Sequence, residues 1–133
     1  MKAKILQTSG KRKRAIARAS LKSGTGNITI NNLSLDYFEP KFARMKIKEP
    51  LLLVKNIADK VDIKITVHGG GVVSQADAVR LAIGRAFVKF DEKIKDVLLN
   101  YDRQLLVADV RRKEVSKPNS QGKARAKRQK SYR

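Results

Sequence analysis

Cysteine is absent from this 133-residue chain, which excludes disulfides and thiolate metal sites. The single histidine, His68, cannot build a histidine-rich metal centre. Aromatic residues make up only 5% of the chain, and the N-terminal basic stretch that reads as strand contains no Phe or Tyr. A sheet that stacks bases on exposed rings, as common readers of single-stranded RNA do, is therefore not supported. Long apolar runs are also missing. The longest run of large aliphatics is Leu51–Val54, far short of the roughly 20 residues needed to cross a bilayer. The opening MKAKILQTSGKRKR has no apolar h-region, so no secretory signal is expected and the protein reads as soluble and intracellular. Acid is the scarcest commodity: 12 Asp and Glu stand against 31 Lys and Arg, for a net charge of +19.

That charge is unevenly placed. Residues 1–22 carry eight cations and no acid, residues 23–110 thirteen against eleven, and residues 111–133 ten against one. A nearly neutral body thus lies between two cationic ends, the footprint of a nucleic-acid binder. The last twelve residues, GKARAKRQKSYR, have six basic side chains and only two alanines and Tyr132 as apolar matter, so they cannot bury themselves. A polyanion that orders them is the simplest explanation. At this length one domain and a tail are expected: a body over 1–110, of which 1–13 form a basic arm, and an extended tail over 111–133.

Periodicity outlines the body. Residues 2–8 suit a short edge strand. From Arg12 to Lys22, Ala15, Ala17, Ala19 and Leu21 alternate with Arg12, Arg14, Arg18 and Lys22, which predicts a strand with a small apolar face and a cationic face. The Ser23–Asn27 turn then predicts a hairpin whose return strand begins at Ile28 and Ile30, and Asn31-Asn32 ends it. Ser34 is placed to cap a short helix closed by Pro40. A turn or two of helix around Phe42 and Met45 follows, and Pro50 suits the first position of a further helix carrying Leu51 to Ala58. Val61–His68 alternates as a strand with Val61, Ile63, Ile65 and Val67 inward.

After Gly69-Gly70-Gly71, Ser74 and Asp77 resemble a capping box opening the longest helix, whose stripe is Ala76, Val79, Ile83, Ala86, Phe87 and Phe90. Phe42, Phe87 and Phe90 are expected in the core. Asp91 can cap a helix bearing Ile94, Val97 and Leu98. Arg103–Asp109 reads as a last strand with Leu105 and Val107 inward. The fold class is α+β, a two-layer arrangement: a mostly antiparallel sheet of four to five strands with helices on one face.

The chemistry-bearing segments are basic. Cations alternating from Lys11 through Lys22 on a rigid strand suit successive phosphates, giving salt-dependent affinity without sequence information. A solvated face kept for solubility would mix signs, and this one does not. The glycine loop before a helix can offer backbone amides to an anion. It has neither Walker-type nor GxGxxG spacing, so it equally suits a turn that needs positive φ. His68, Asp62 and Asp77 supply no catalytic pairing, so neither an enzyme nor a cofactor is expected. A DNA-compacting protein would fit the charge, but no apolar surface for dimerisation is evident.

Four blocks resemble one family, the small-subunit ribosomal protein S-nine family. They are TSGKRKRAIARA at Thr8–Ala19, GGGVVSQADAVRLAIGRAFV at Gly69–Val88, RQLLVADVRRKE at Arg103–Glu114, and the terminal ARAKRQKSYR, which is similar to the archaeal and eukaryotic branch. The chain departs from the family pattern at Pro118–Lys123, at Lys127, and at Gly84 inside the long helix, where alanine is more usual. The resemblance implies the fold of the second domain of ribosomal protein S-five with a left-handed βαβ crossover; the residues alone would favour the usual right-handed one.

As function, the resemblance implies a cytoplasmic, non-catalytic component of the small ribosomal subunit with no metal, small-molecule substrate or membrane partner. Its partners would be ribosomal RNA of the subunit head (3′ major domain), neighbouring head proteins and peptidyl-site transfer RNA. The residues placed against ribosomal RNA are Lys11, Arg12, Lys13, Arg14, Arg18, Lys22, Gly69, Gly70, Gly71, Gln75, Arg80, Arg111, Arg112, Lys113, Lys117, Lys123 and Arg125. Those placed near transfer RNA are Arg128, Lys130, Ser131, Tyr132 and Arg133.

Overall fold

The computed structural model describes residues 4–119 and 122–125. Strands β1 (Leu6–Arg12) and β2 (Ala15–Ser23) form a hairpin, and β3 (Ile28–Ile30) and β4 (Leu33–Ser34) form a second, very short one. Helices α1 (Lys41–Leu53) and α2 (Lys55–Ala58) lead to β5 (Val61–His68), then to the long α3 (Val72–Phe90) and the short α4 (Lys95–Tyr101). The sheet order is β1-β2-β5-β3-β4, with β3 and β5 parallel and the other pairings antiparallel. The architecture is α+β as expected. No helix among the described residues is long and apolar enough to cross a membrane.

Strand periodicity succeeds where the chain is straight. Ala15, Ala17, Ala19 and Leu21 of β2 and Val61, Ile63, Ile65 and Val67 of β5 are all buried. They pack, with Ile30, under the Ala76, Val79, Ile83, Ala86 and Phe87 stripe of α3. The residues are small for a reason. A Cβ on Gly10 of β1 would collide with the carbonyl of Ala78 and lie 2.7 Å from the amide of Ala82, so α3 rests almost directly on the strand. Thr8 Oγ1 donates to the Ala82 carbonyl at 2.9 Å in the same contact. β1 is an edge strand, and Lys89 and Arg85 of α3 donate to the Gln7 and Ser9 carbonyls at 3.1 and 2.9 Å, covering polar groups that would invite another strand.

Several expected elements differ. The expected partner of β2 across the Ser23–Asn27 turn is not β3: β5 inserts between them. The hairpin lies one turn earlier, at Lys13-Arg14. β1 runs to Arg12 rather than stopping near residue 8, so residues 6–12 of the expected arm belong to the sheet. Asn31, with φ near 50°, ends β3 by extending its ladder with a side chain: Val67 N–H donates to its Oδ1 and its Nδ2 donates to the Val67 carbonyl.

Among the helices, α1 is continuous and carries Pro50 in its interior instead of starting a helix there. The missing N–H breaks one backbone bond, and the ring is buried against the core instead. Ala43 and Ile47 share that buried face, which leaves Phe42 and Met45 exposed. Phe90 is also exposed, outside the core expected for it, and so is Val97 of α4. Ser34 precedes a single 3₁₀ turn, Leu35–Tyr37, without capping it through its side chain. Residue Gly71, not Ser74, is the N-cap of α3, with no side-chain cap. Asp91 does accept from Lys93 N–H, at the head of a 3₁₀ turn. The expected last strand is a 3₁₀ turn, Arg103–Leu105, followed by coil. Asp102 accepts the Gln104 N–H there, and Leu105 is buried while Val107 is 37% exposed.

Candidate nucleic-acid interface

Helices cover one face of the sheet and leave the other open. Register assigns the open face. Ser9 pairs with Arg18 and Lys11 with Ile16 across β1–β2; Arg18 pairs with Thr66, Ser20 with Lys64 and Lys22 with Asp62 across β2–β5. Cross-strand partners share a face, so Lys11, Arg18, Lys22 and Lys64 stand together among Ser9, Ser20, Thr66 and the exposed His68. Those four cations are exposed. Asp62 is the acid of β5 on this face, and it is turned to its own loop, accepting the Thr25 and Asn27 N–H groups at 2.9 and 3.0 Å. These two bonds hold its carboxyl below the usual range against the effect of burial, with Lys22 and the Gly26 N–H adding to them. What remains is a surface of ammonium, guanidinium and hydroxyl donors, with the His68 imidazole but no Phe or Tyr ring among them. Such donors suit phosphate and ribose oxygens.

Beside the β1–β2 turn, three separate segments meet. Lys13 takes φ near 54° and, with exposed Arg14, makes the turn. Gly69 and Gly70 have φ of 75° and 66° and pack on it: a Cβ on Gly69 would lie 2.6 Å from the Arg14 carbonyl, and one on Gly70 3.0 Å from the Ala15 amide. The positive φ expected of the loop is therefore real at two of its three glycines. Gln75 Nε2 closes the loop by donating to the Gly69 carbonyl at 3.1 Å. Gly71 faces open space ahead of the uncapped start of α3, where backbone N–H groups lack helical partners. The first residues of the tail pass the same place. Together Lys13, Arg14, Gly70, Gly71, Ser74 and Arg111–Ser116 line a groove of about 1070 Å³.

Not every expected cation faces outward. Arg12 lies opposite Ala15 in the register and so points to the helix layer. There it pairs with Asp109, and its Nε lies 3.9 Å from Asp77 of α3. Asp77 also meets Lys46 of α1 at 3.4 Å, so it serves this cluster rather than a capping box. Arg80 is held between Glu49 and Asp102, at 2.5 and 3.0 Å, and its Nε is buried without a partner among the described residues. Burial pushes the Asp102 carboxyl up, but the Gln104 N–H and Arg80 outweigh it and hold it below the usual range. Arg111 Nη2 folds back on Asp109 at 2.8 Å, and Asp109 accepts the Arg111 N–H at the same distance. Arg12, Arg80 and Arg111 thus have carboxylate partners within the body, while Arg112 and Lys113 are exposed.

Further along, the tail is not simply extended. Glu114 pairs with Lys117 and Arg125, each at 2.7 Å, and Lys117 N–H donates to the Lys123 carbonyl at 2.9 Å. Lys117 and Lys123 are therefore brought side by side. Arg128, Lys130, Ser131, Tyr132 and Arg133 lie outside the described residues. Lys64 was missed by sequence reasoning; its β5 alternation placed it outward, but only the pairing with β2 reveals its cationic neighbours. No group of three or more metal-ligating side chains occurs among the described residues.

Known proteins match this chain along nearly its whole length. The family model described as ribosomal protein S9/S16 matches residues 10–133. The small ribosomal subunit protein uS9 of Methanococcus maripaludis is 50% identical over 133 residues, covering 98% of this chain and 99% of that protein. Proteins of the same name from Methanococcus vannielii and Methanothrix thermoacetophila are each 48% identical, with the same coverage of both chains. The two glycine positions on which the sheet–helix contact and the basic turn depend, Gly10 and Gly70, fall inside the matched region. On this evidence the chain belongs to the ribosomal protein S9/S16 family.

Proposed function

We propose that this protein is a non-catalytic structural component of the small ribosomal subunit in the cytoplasm. Its body binds ribosomal RNA of the subunit head beside neighbouring head proteins, and its tail end reaches toward peptidyl-site transfer RNA. The observation that carries the RNA reading is the convergence of the Lys13-Arg14 turn, the Gly69–Gly71 loop and the Arg112-Lys113 tail root on one groove. Family membership and the names of its relatives support the subunit. Lys11, Arg18 and Lys22 act from the open sheet face. Lys117, Lys123 and Arg125 supply further charge along the tail, and Gln75 keeps the glycine loop shaped. Arg12 and Arg80 support these groups from inside the body, and Arg111 does so from the tail root, paired with Asp109.

The mechanism is electrostatic. Each phosphate neutralised releases condensed counterions, so binding is driven partly by their entropy and weakens as salt rises. Backbone groups at the glycine loop and rigid cations on strands fix register on the RNA without reading its sequence. Co-sedimentation on a sucrose gradient tests the reading. The wild-type chain is expected to travel with small subunits, and a Lys13→Ala/Arg14→Ala/Arg112→Ala/Lys113→Ala variant to be depleted from them. Equal incorporation of the two chains would refute the groove.

A further inference from the structure

We infer that Asp109, held by Arg12, is a positioning residue of the RNA-binding groove: an acid that strengthens binding to a polyanion. The inference rests on the groove reading above and concerns how its tail-root cations are kept in place. Asp109 is the last acid before the tail, and its side chain is only 9% exposed. Two bonds turn the chain at this point. The carboxylate accepts the Arg111 backbone N–H at 2.8 Å and grips the Arg111 guanidinium from the same side. Arg12, at the end of β1, anchors that carboxylate to the sheet.

The anchor is itself fixed. Arg12 is the residue immediately before the Lys13-Arg14 turn, and its Nε lies 3.9 Å from Asp77 on α3. One carboxylate therefore ties the tail root to the strand whose turn forms the opposite wall of the groove. Arg112 and Lys113 follow within four residues of Asp109 and line that groove with Lys13 and Arg14. Upstream, buried Leu105, the Arg80–Asp102 pair and the Arg85 bond to the Leu106 carbonyl at 3.2 Å hold the 3₁₀ turn, and beyond it this side-chain lock fixes the chain at Asp109. Without it, Arg112 and Lys113 lose orientation, and ordering them must be paid at binding.

The sign distinguishes positioning from simple electrostatics. Asp109→Asn removes one negative charge, which by itself favours RNA. The positioning role makes the opposite forecast. Affinity of the full-length chain for a transcribed small-subunit RNA head domain should fall about three- to tenfold, the scale of one net hydrogen bond, with a shallower salt slope. Asp109→Glu, which keeps the carboxylate, should restore most of both. In an Arg112→Ala/Lys113→Ala background, Asp109→Asn should cause no further loss, because the groups it positions are gone.

Unchanged or tighter binding by Asp109→Asn would overturn the inference. An equal loss in both backgrounds would also overturn it, because that pattern belongs to damage to the body. If Arg112→Ala/Lys113→Ala alone leaves affinity and salt slope untouched, the groove reading itself fails, and with it this role. Weakening by that pair but not by Asp109→Asn would leave the groove standing and remove only the lock.

Discussion

The carbonyl of Leu105 occupies the space that a Cβ on Gly84 would need. Gly84 sits within α3, where alanine would add helix propensity worth about 1 kcal/mol. The 3₁₀ turn at Arg103–Leu105 crosses the helix too closely to allow it. Leu105 itself is fully buried, so the turn cannot move away without exposing that side chain. Gly84→Ala should therefore destabilise, by about 1–3 kcal/mol, the usual cost of overpacking. Urea unfolding should show a lower midpoint with an unchanged slope. A raised midpoint would mean that the turn yields freely.

How far the fold was legible from the chain depends on how local each cause is. Alternation in Val61–His68 is local, and β5 forms as expected. The cationic strand shows where parity fails. Arg12 and Arg18 have the same parity, yet the turn at Lys13-Arg14 lies between them and resets the face. Only Arg18 reaches the open side, while Arg12 faces Ala15 and the helices. The insertion of β5 between β2 and β3 is a long-range pairing that no turn residue announces. Gly84 looked like a mere departure from pattern because its reason, Leu105, is distant in the chain. Of the site, the basic segment and the glycine loop were visible as separate stretches, but the turn at Lys13-Arg14 was not. Their junction with the tail root was not, since it depends on Asp109 and Arg12 meeting.

Acid should weaken the fold through Asp62 and Asp102. Both carboxyls are held below the usual 3.8 in the folded chain, Asp62 chiefly by the Thr25 N–H and then the Asn27 N–H. For Asp102, burial acts the other way and is outweighed by the Gln104 N–H and Arg80. A depressed folded pKa means stability that is present above the unfolded value and lost as pH falls through the folded one. Urea midpoints should thus fall steadily on acidification below about pH 4. An Asp62→Asn variant should show a shallower fall over the same range. The same slope in both chains would show that the Ser23–Asn27 turn is not what Asp62 stabilises.

The open sheet face should contribute to RNA affinity independently of the groove. Replacing Lys11, Arg18 and Lys64 together by Ala leaves the buried face of each strand untouched. Log affinity against log salt should then lose roughly 0.7–0.9 in slope for every phosphate contact removed. Arg12→Ala should behave differently, lowering the unfolding midpoint because it strips a partner from Asp109 and Asp77. Filter binding at four salt concentrations, alongside urea unfolding, separates the two. An unchanged slope for the triple variant would make the sheet face a solvated surface only.

Removing Lys130 to Arg133 should leave assembly into subunits nearly intact and weaken peptidyl-site transfer RNA a few-fold. Reach sets the geometry. The pairing of Glu114 with Lys117 and Arg125 keeps the first part of the tail close to its root. The eight residues after Arg125 can still extend by at most about 26–29 Å. Along that stretch the cations are Lys127, Arg128, Lys130 and Arg133, with no acid beside them. Arg133 has the planar fork that suits phosphate oxygens, while Lys130 acts as a point charge. Phosphate contacts carry no sequence information, so every transfer RNA should weaken alike. Filter binding to programmed subunits carrying the truncated chain checks this at low and moderate salt. Equal affinity in both conditions would refute a role for the tail end, and a loss confined to one transfer RNA would replace phosphate contact with base recognition.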